Sequence, residues 1–170
     1  PTDWHLLRTC PVPLLLAVKR KYPARARVLA TLDLRRLDAA HQRLNSKVMG
    51  IAQSWATTHE SDVDICFVIE QSDVLTALDI VDTHEHQNQV KRRIKPTLDA
   101  LAKEWDVPAE RVHLPVGKVG HCVNSVVDRI KAELVVMGTT ARRGMKGMVL
   151  GNSAEKVLQR VNCDVLALKP

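Results

Sequence analysis

Aromatic side chains are scarce in this sequence. Three Trp, one Tyr and one Phe stand among 170 residues, and Trp4, Tyr22, Trp55, Phe67 and Trp105 are too scattered to build a platform on which successive bases of a single strand stack. Long apolar runs are also lacking. The longest, Val12 to Val18, contains Pro13 and falls far short of the roughly 20 residues a membrane helix needs, and no charged-then-apolar leader opens the chain. The expectation is a soluble, unexported, cytoplasmic protein without membrane attachment. Cys10, Cys66, Cys122 and Cys163 show no C-x-x-C spacing, which excludes a zinc ribbon and a small disulfide scaffold and fits a reducing compartment. No P-loop, no G-x-G-x-x-G after the first strand and no G-x-S-x-G elbow is present, so standard NTPase, dehydrogenase and serine-hydrolase chemistry is not indicated. Basic residues exceed acidic ones by 25 to 19, a formal charge of +6. That excess is too modest and dispersed to diagnose nucleic-acid binding, but it permits a small phosphate-bearing ligand.

What is present is a regular alternation. Hydrophobic residues make up 45% of a chain of ordinary single-domain length, enough for a real core. Arg27 to Leu32, Asp64 to Ile69, Val112 to Val116, Glu133 to Met137 and Asp164 to Leu168 read as short strands, mostly buried on both faces. Between them lie helical faces. One runs from about Asp38, as cap, to His59 with Leu44, Val48, Ala52 and Trp55 inward. A second carries Val90, Ile94, Leu98, Leu101 and Trp105, with Pro96 expected to kink or restart it. A third carries Val119, Val123, Val126, Val127 and Ile130, and a fourth spans Ser153 to Val161. Buried strands alternating with helices imply right-handed crossovers and an open parallel α/β sheet of five strands with helices on both faces. The flavodoxin-like order 3-2-1-4-5 is expected, with a ligand crevice beyond the carboxyl ends of the central strands.

The first twenty residues stand outside this alternation. Leu6 to Leu16 is similar to Val157 to Leu168, with Cys10 and Val12 matching Cys163 and Val165 after one shifted residue. A helix end, a Cys-containing turn and an apolar strand thus occur twice. Residues 1–20 read as the tail of a preceding similar domain and residues 25–170 as the domain itself, the plainer alternative being an ordinary helix-to-strand joint.

Leu134 to Ser153 carries the chemistry. It reads as a strand, a loop and a helix start that together form an anion cradle: Gly138 to turn sharply off the strand, Gly151 for close approach, and Asn152 or Ser153 to cap the helix. Arg142, Arg143 and Lys146 add positive charge to the loop. The segment resembles the nucleotide-binding motif of the universal stress protein family: G, two residues, G, nine residues, G, then Ser or Thr. Gly138, Ala141, Gly151 and Asn152 keep that spacing, Ala141 standing for the middle glycine and Asn152, followed by Ser153, for the hydroxyl residue. With the half-repeat in front, the chain is most similar to the second domain of E-type tandem members.

The resemblance implies an adenine nucleotide alpha hydrolase-like fold and a cytoplasmic stress-response domain. Such a domain holds ATP, a related adenine nucleotide or another phosphorylated metabolite and acts through partners. The residues it assigns to the ligand are Asp33, Gly138, Thr139, Ala141, Arg142, Arg143, Gly151, Asn152 and Ser153. Asp33 matches the acidic position near the adenosine, while Arg35 and Arg36 after it read as solvated charges or as guards of an anionic pocket. Two alternatives remain open: a degenerate scaffold or dimerisation domain that binds nothing, and a slow ATP hydrolase using Asp33. An enzyme is the less expected outcome. The resemblance also implies pairing through the last strand, in a homodimer or between tandem domains, so Val12 to Val18 is expected to lie antiparallel on Asp164 to Leu168 and cover that edge. No metal is expected: His84-Glu85-His86 reads as a solvated linker, and His113 and His121-Cys122 lie on separate elements.

Overall fold

The computed structural model describes residues 2–18, 26–36, 38–70, 83–139 and 151–170. Five parallel strands form its centre: β2 (Arg27–Thr31), β3 (Asp62–Cys66), β5 (Val112–His113), β7 (Ala132–Gly138) and β8 (Asp164–Leu168). The helices between them are α2 (Ala39–Thr58), α3 (Thr83–Glu104), α4 (Val119–Ile130) and α5 (Asn152–Leu158). The strands lie in the order β5-β3-β2-β7-β8, the expected 3-2-1-4-5. Alternation of side chains explains why both faces must be covered. On β2, Val28 and Ala30 point into a core with Leu44, Val48, Met49 and Ala52 of α2 and Ile94 and Leu98 of α3, whereas Leu29 points into a second core with Val123, Val126 and Val127 of α4 and Val157 of α5. β7 lies between β2 and β8, and Leu134 to Met137 are all buried.

The strand count differs from the expected five. A sixth strand, β1 (Leu14–Leu16), preceded by α1 (Thr2–Thr9), pairs antiparallel with β8, Leu15 opposite Leu166. The N-terminal segment therefore covers the last edge within one chain, as expected. Leu7 of α1 is buried in the second core, and the Val18 N–H donates to Asp164 Oδ1 at 2.6 Å. The second and third expected strands each break in two: β3 is followed by β4 (Ile69–Glu70), and β5 by β6 (Val116–Gly117). The breaks coincide because the two chains bend away side by side. Pro115 has no N–H for a continuous ladder, Phe67 and Ile69 donate instead to the carbonyls of His113 and Pro115, and β4 and β6 pair as a separate two-stranded sheet.

Asp38 caps α2 as expected, its carboxylate accepting from Ala40 and His41 N–H at 3.0 Å. Pro96 neither stops nor restarts α3, which runs through it. Pro96 and Arg92 are exposed, so water can satisfy the carbonyl that the proline leaves unbonded, while Ile94 and Leu98 anchor the helix on either side. α5 is shorter than expected, ending at Leu158.

Candidate functional site

β2 and β7 are adjacent in register, with Thr31 opposite Met137, and the helices that follow them in the chain, α2 and α5, pack on opposite faces, the arrangement at which open α/β sheets receive ligands. Asp33 lies two residues past β2, Gly138 ends β7, Thr139 follows it, and Gly151, Asn152 and Ser153 form the start of α5. Ala141, Arg142 and Arg143, with Lys146, lie outside the described residues.

Asp33 is held from two sides. Its backbone is clipped to α2 by Asn45, whose side-chain oxygen accepts from the Asp33 N–H at 3.1 Å and whose amide donates to the Asp33 carbonyl at 3.0 Å. Its carboxylate is gripped by Arg35, Nε on Oδ1 at 2.9 Å and Nη2 on Oδ2 at 2.7 Å, with the Arg35 N–H adding a third bond at 3.0 Å. Burial pushes the Asp33 carboxyl up, but the Arg35 hydrogen bonds and charge outweigh it and hold the group below the usual aspartate range. Arg35 is thus not simply a solvated charge; the hydrogen bonds it donates to the Asp33 carboxylate raise its own pKa.

The remaining guanidinium nitrogen extends the chain of charges. Arg35 Nη1 donates to Glu70 Oε2 at 3.0 Å, and Lys156 of α5 donates to Glu70 Oε1, also at 3.0 Å. Lys156 is brought there by tight helix packing: Gly120 of α4 lies so close to the Lys156 carbonyl that any Cβ would run into it. Four charges, Asp33, Arg35, Glu70 and Lys156, therefore span β2, β4 and α5 across the open end of the sheet. Beside them Leu34, Asn45, Thr97 and Leu101 help line a cleft of about 270 Å³ between α2 and α3.

Two of the glycine-loop expectations need correction. Gly138 does not turn the chain; it is still paired with Leu168 in the sheet and its φ lies outside the left-handed region. It is required by close approach, because a Cβ there would sit 2.6 Å from Leu44 Cδ2. Neither Asn152 nor Ser153 caps α5. Gly151 occupies the cap position with no side chain to offer, its carbonyl accepts from Glu155 N–H at 3.1 Å, and Asn152 and Ser153 are the first helical residues. Thr139 is buried, with its N–H and hydroxyl both donating to the Leu168 carbonyl, at 2.7 and 3.0 Å.

Sequence reasoning missed Asn45, Glu70 and Lys156. Asn45 carried a detectable cue, a polar side chain on the apolar face of α2 next to Leu44 and Val48. Glu70 and Lys156 carried none, since nothing local links positions 86 residues apart. His113 belongs to a different cluster, on the α4 face of the sheet. The Asp64 carboxylate, fully buried, accepts two bonds from Arg27 at 2.8 and 2.7 Å, and His113 Nε2 lies 2.7 Å from its Oδ1. Arg129 donates to His113 Nδ1 at 3.1 Å, which leaves the proton on Nε2, directed at Asp64. Nearby, burial and the neighbouring Cys122 push the Cys66 thiol up to about 12.

Comparison with known proteins agrees with this architecture. The chain is 26% identical over 173 residues to Universal stress protein E of Salmonella typhi, a match that covers all of this chain and 55% of the relative. The crystal structure of a Pseudomonas aeruginosa UCBPP-PA14 protein superposes with a TM-score of 0.83 at 25% identity, a match that covers all of this chain and 56% of that one. The chain therefore spans about half the length of these relatives. A universal stress protein solved in complex with cAMP shares the fold, with a TM-score of 0.56 at 18% identity over 86% of this chain and 98% of that one. The parallel order around β2 and β7, the close-packed Gly138 and these likenesses have one explanation, since a profile of the Universal stress protein family matches residues 42–169: the chain belongs to that family.

Proposed function

We propose that this domain serves stress response as a binding module, holding an adenine nucleotide or another phosphorylated metabolite at the open end of the sheet and acting through protein partners in the cytoplasm. The observation that carries the reading is the convergence of Asp33 with Gly138 and Thr139 at the carboxyl ends of β2 and β7, the place where open α/β sheets receive ligands. A family neighbour solved with cAMP supports the adenine class. Gly138, Thr139, Gly151, Asn152 and Ser153, together with Ala141, Arg142 and Arg143 from the sequence between them, are the proposed ligand contacts, with Asp33 near the nucleoside. Hydrolysis is not part of the proposal, because the carboxylates of Asp33 and Glu70 are engaged by cations rather than poised to take a proton from water.

Residues 1–20 are proposed to be the closing helix and strand of a preceding, similar domain. The antiparallel β1–β8 pairing supports this, as does the length of the relatives, about twice that of this chain. Removing residues 1–18 should then expose the β8 edge and produce self-association in light scattering; an unchanged monomer would sink that part of the reading.

The test of function is a thermal-shift and calorimetric titration with ATP, ADP and cAMP. Saturable stabilisation that weakens in Asp33→Ala is expected. No response to any of the three would favour the second reading, a non-binding scaffold, which draws on the closed Asp33–Arg35 pair.

A further inference from the structure

The cations at the open end of the sheet are arranged as an anion seat, and a protein carboxylate sits in it. We propose that Arg35 and Lys156 form the binding site for a phosphoryl group, and that an incoming phosphoryl group takes the place held by the Glu70 carboxylate. The proposal rests on the nucleotide reading of the same end of the sheet and names residues outside the glycine motif.

Arg35 Nη1 and Lys156 Nζ each lie 3.0 Å from a different oxygen of one carboxylate. Two cations on separate oxygens of one anion is also the arrangement a phosphoryl group requires, and a phosphoryl group brings more oxygens and more charge than a carboxylate. Arg35 is preorganised for the exchange. Its Nε and Nη2 are fixed on Asp33, so the guanidinium plane is set and Nη1 remains aimed at the seat whatever occupies it.

Charge counting explains why Glu70 matters. With it in place, two acids and two bases cancel; without its charge, Asp33, Arg35 and Lys156 leave a net positive site. Nor is the carboxylate locked in. Glu70 ends the two-residue strand β4, and the side chains of Arg35, Glu70 and Lys156 are 47%, 31% and 50% exposed. Ion pairs so open to water contribute little, so Glu70 can yield its place without loss of packing. In this arrangement Glu70 sets the affinity threshold, admitting ligands whose phosphoryl charge outcompetes a carboxylate and rejecting singly charged acids.

The experiment titrates inorganic pyrophosphate into the full 170-residue chain by calorimetry, as wild type, Glu70→Gln and Glu70→Gln/Lys156→Gln, with circular dichroism to confirm that each is folded. Glu70→Gln keeps the shape of the side chain and removes its charge. It should tighten pyrophosphate by roughly fivefold or more, and Lys156→Gln added to it should remove that gain. The proposal is overturned if Glu70→Gln binds no better than wild type, if it shows no binding at millimolar pyrophosphate, or if the gain survives loss of Lys156. ATP titrated into wild type judges the nucleotide reading separately. ATP binding without a Glu70→Gln gain sinks the seat alone, whereas a pyrophosphate gain without ATP binding sinks the nucleotide reading and leaves the seat standing.

Discussion

Gly138→Ala separates two explanations of the glycine that ends β7. If the glycine were there for a turn, alanine would be strained by its own backbone and nothing in α2 could relieve it. The geometry says otherwise: φ is not left-handed, and the added Cβ meets Leu44 Cδ2 at 2.6 Å and Cγ at 2.8 Å. Ordinary carbon contacts lie at roughly 3.5–4.0 Å, so Leu44 or its helix must retreat by about 1 Å. Overpacking of this kind costs about 1–3 kcal/mol, and the reduced freedom of the unfolded chain returns about 0.4–1 kcal/mol. A net loss of about 1–2 kcal/mol is expected, which lowers Tm by roughly 3–6 °C in a domain of this size. The decisive assay is a double-mutant cycle in urea. Leu44→Ala alone should cost about 2–5 kcal/mol, since Leu44 is buried, and Gly138→Ala added to it should be harmless or should recover stability by filling part of the space. A coupling of about 1–2 kcal/mol is expected. Strictly additive effects, or a single substitution without cost, would refute the packing explanation.

Asp64→Ala leaves Arg27 and His113 without their shared buried acceptor and should cost about 3 kcal/mol in urea unfolding; a loss below 1 kcal/mol, on the order of a surface pair, would show that the cluster is idle. Asp33 titrates below its ordinary value when folded, so its contribution is present above the unfolded carboxyl pKa and is lost as pH falls through the lowered folded pKa. Arg35→Gln should therefore flatten the stability profile in that acid window and leave less to lose, a result read by acid denaturation followed with circular dichroism; an unaltered slope would contradict the pairing. Cys66, buried and held near 12, should resist thiol reagents at pH 8 until the protein unfolds, whereas half-buried Cys10 should label in the native state. Gly151→Ser should leave the melting temperature unchanged or slightly higher, because φ −63 and ψ 140 suit any residue and serine caps helices at least as well as glycine; marked destabilisation would reveal a packing demand on that glycine.

Legibility from sequence followed the range of the interactions. Periodicity found all five parallel strands, and β8 matched residue for residue, because a strand buried on both faces is a continuous apolar run and needs no partner to be recognised. Asp38 was found as a cap because capping acts over three residues. Boundaries slipped where a tertiary pairing decided them: Pro115 read as a strand end, but only the parallel path of β3 explains why both chains bend together into β4 and β6. Pro96 was overestimated, since the cost of a helical proline depends on whether water reaches the orphaned carbonyl. The charges at the site were the hardest to see. Asp33 and Arg35 are two residues apart and could have been paired on a loop, whereas Glu70 joins them only because β4 follows β3, and Lys156 only because α4 and α5 pack through Gly120.

The same distinction bears on how much the glycine motif says about function. Gly138 is favoured by the closeness of Leu44 and Thr139 by its hydroxyl bond to the Leu168 carbonyl, so a domain that had lost every ligand would still gain stability from both. Their presence is evidence for the family architecture and neutral on binding. Gly151 is different, for its backbone angles ask for no glycine and its cap position would accept a serine. The Arg35–Glu70–Lys156 bridge is different in the same way: three partly exposed side chains that belong to neither core, held in a geometry that suits an anion. The side chains that add to the topological argument for binding are therefore the two cations on Glu70, because the identities of Gly138 and Thr139 are already accounted for by packing.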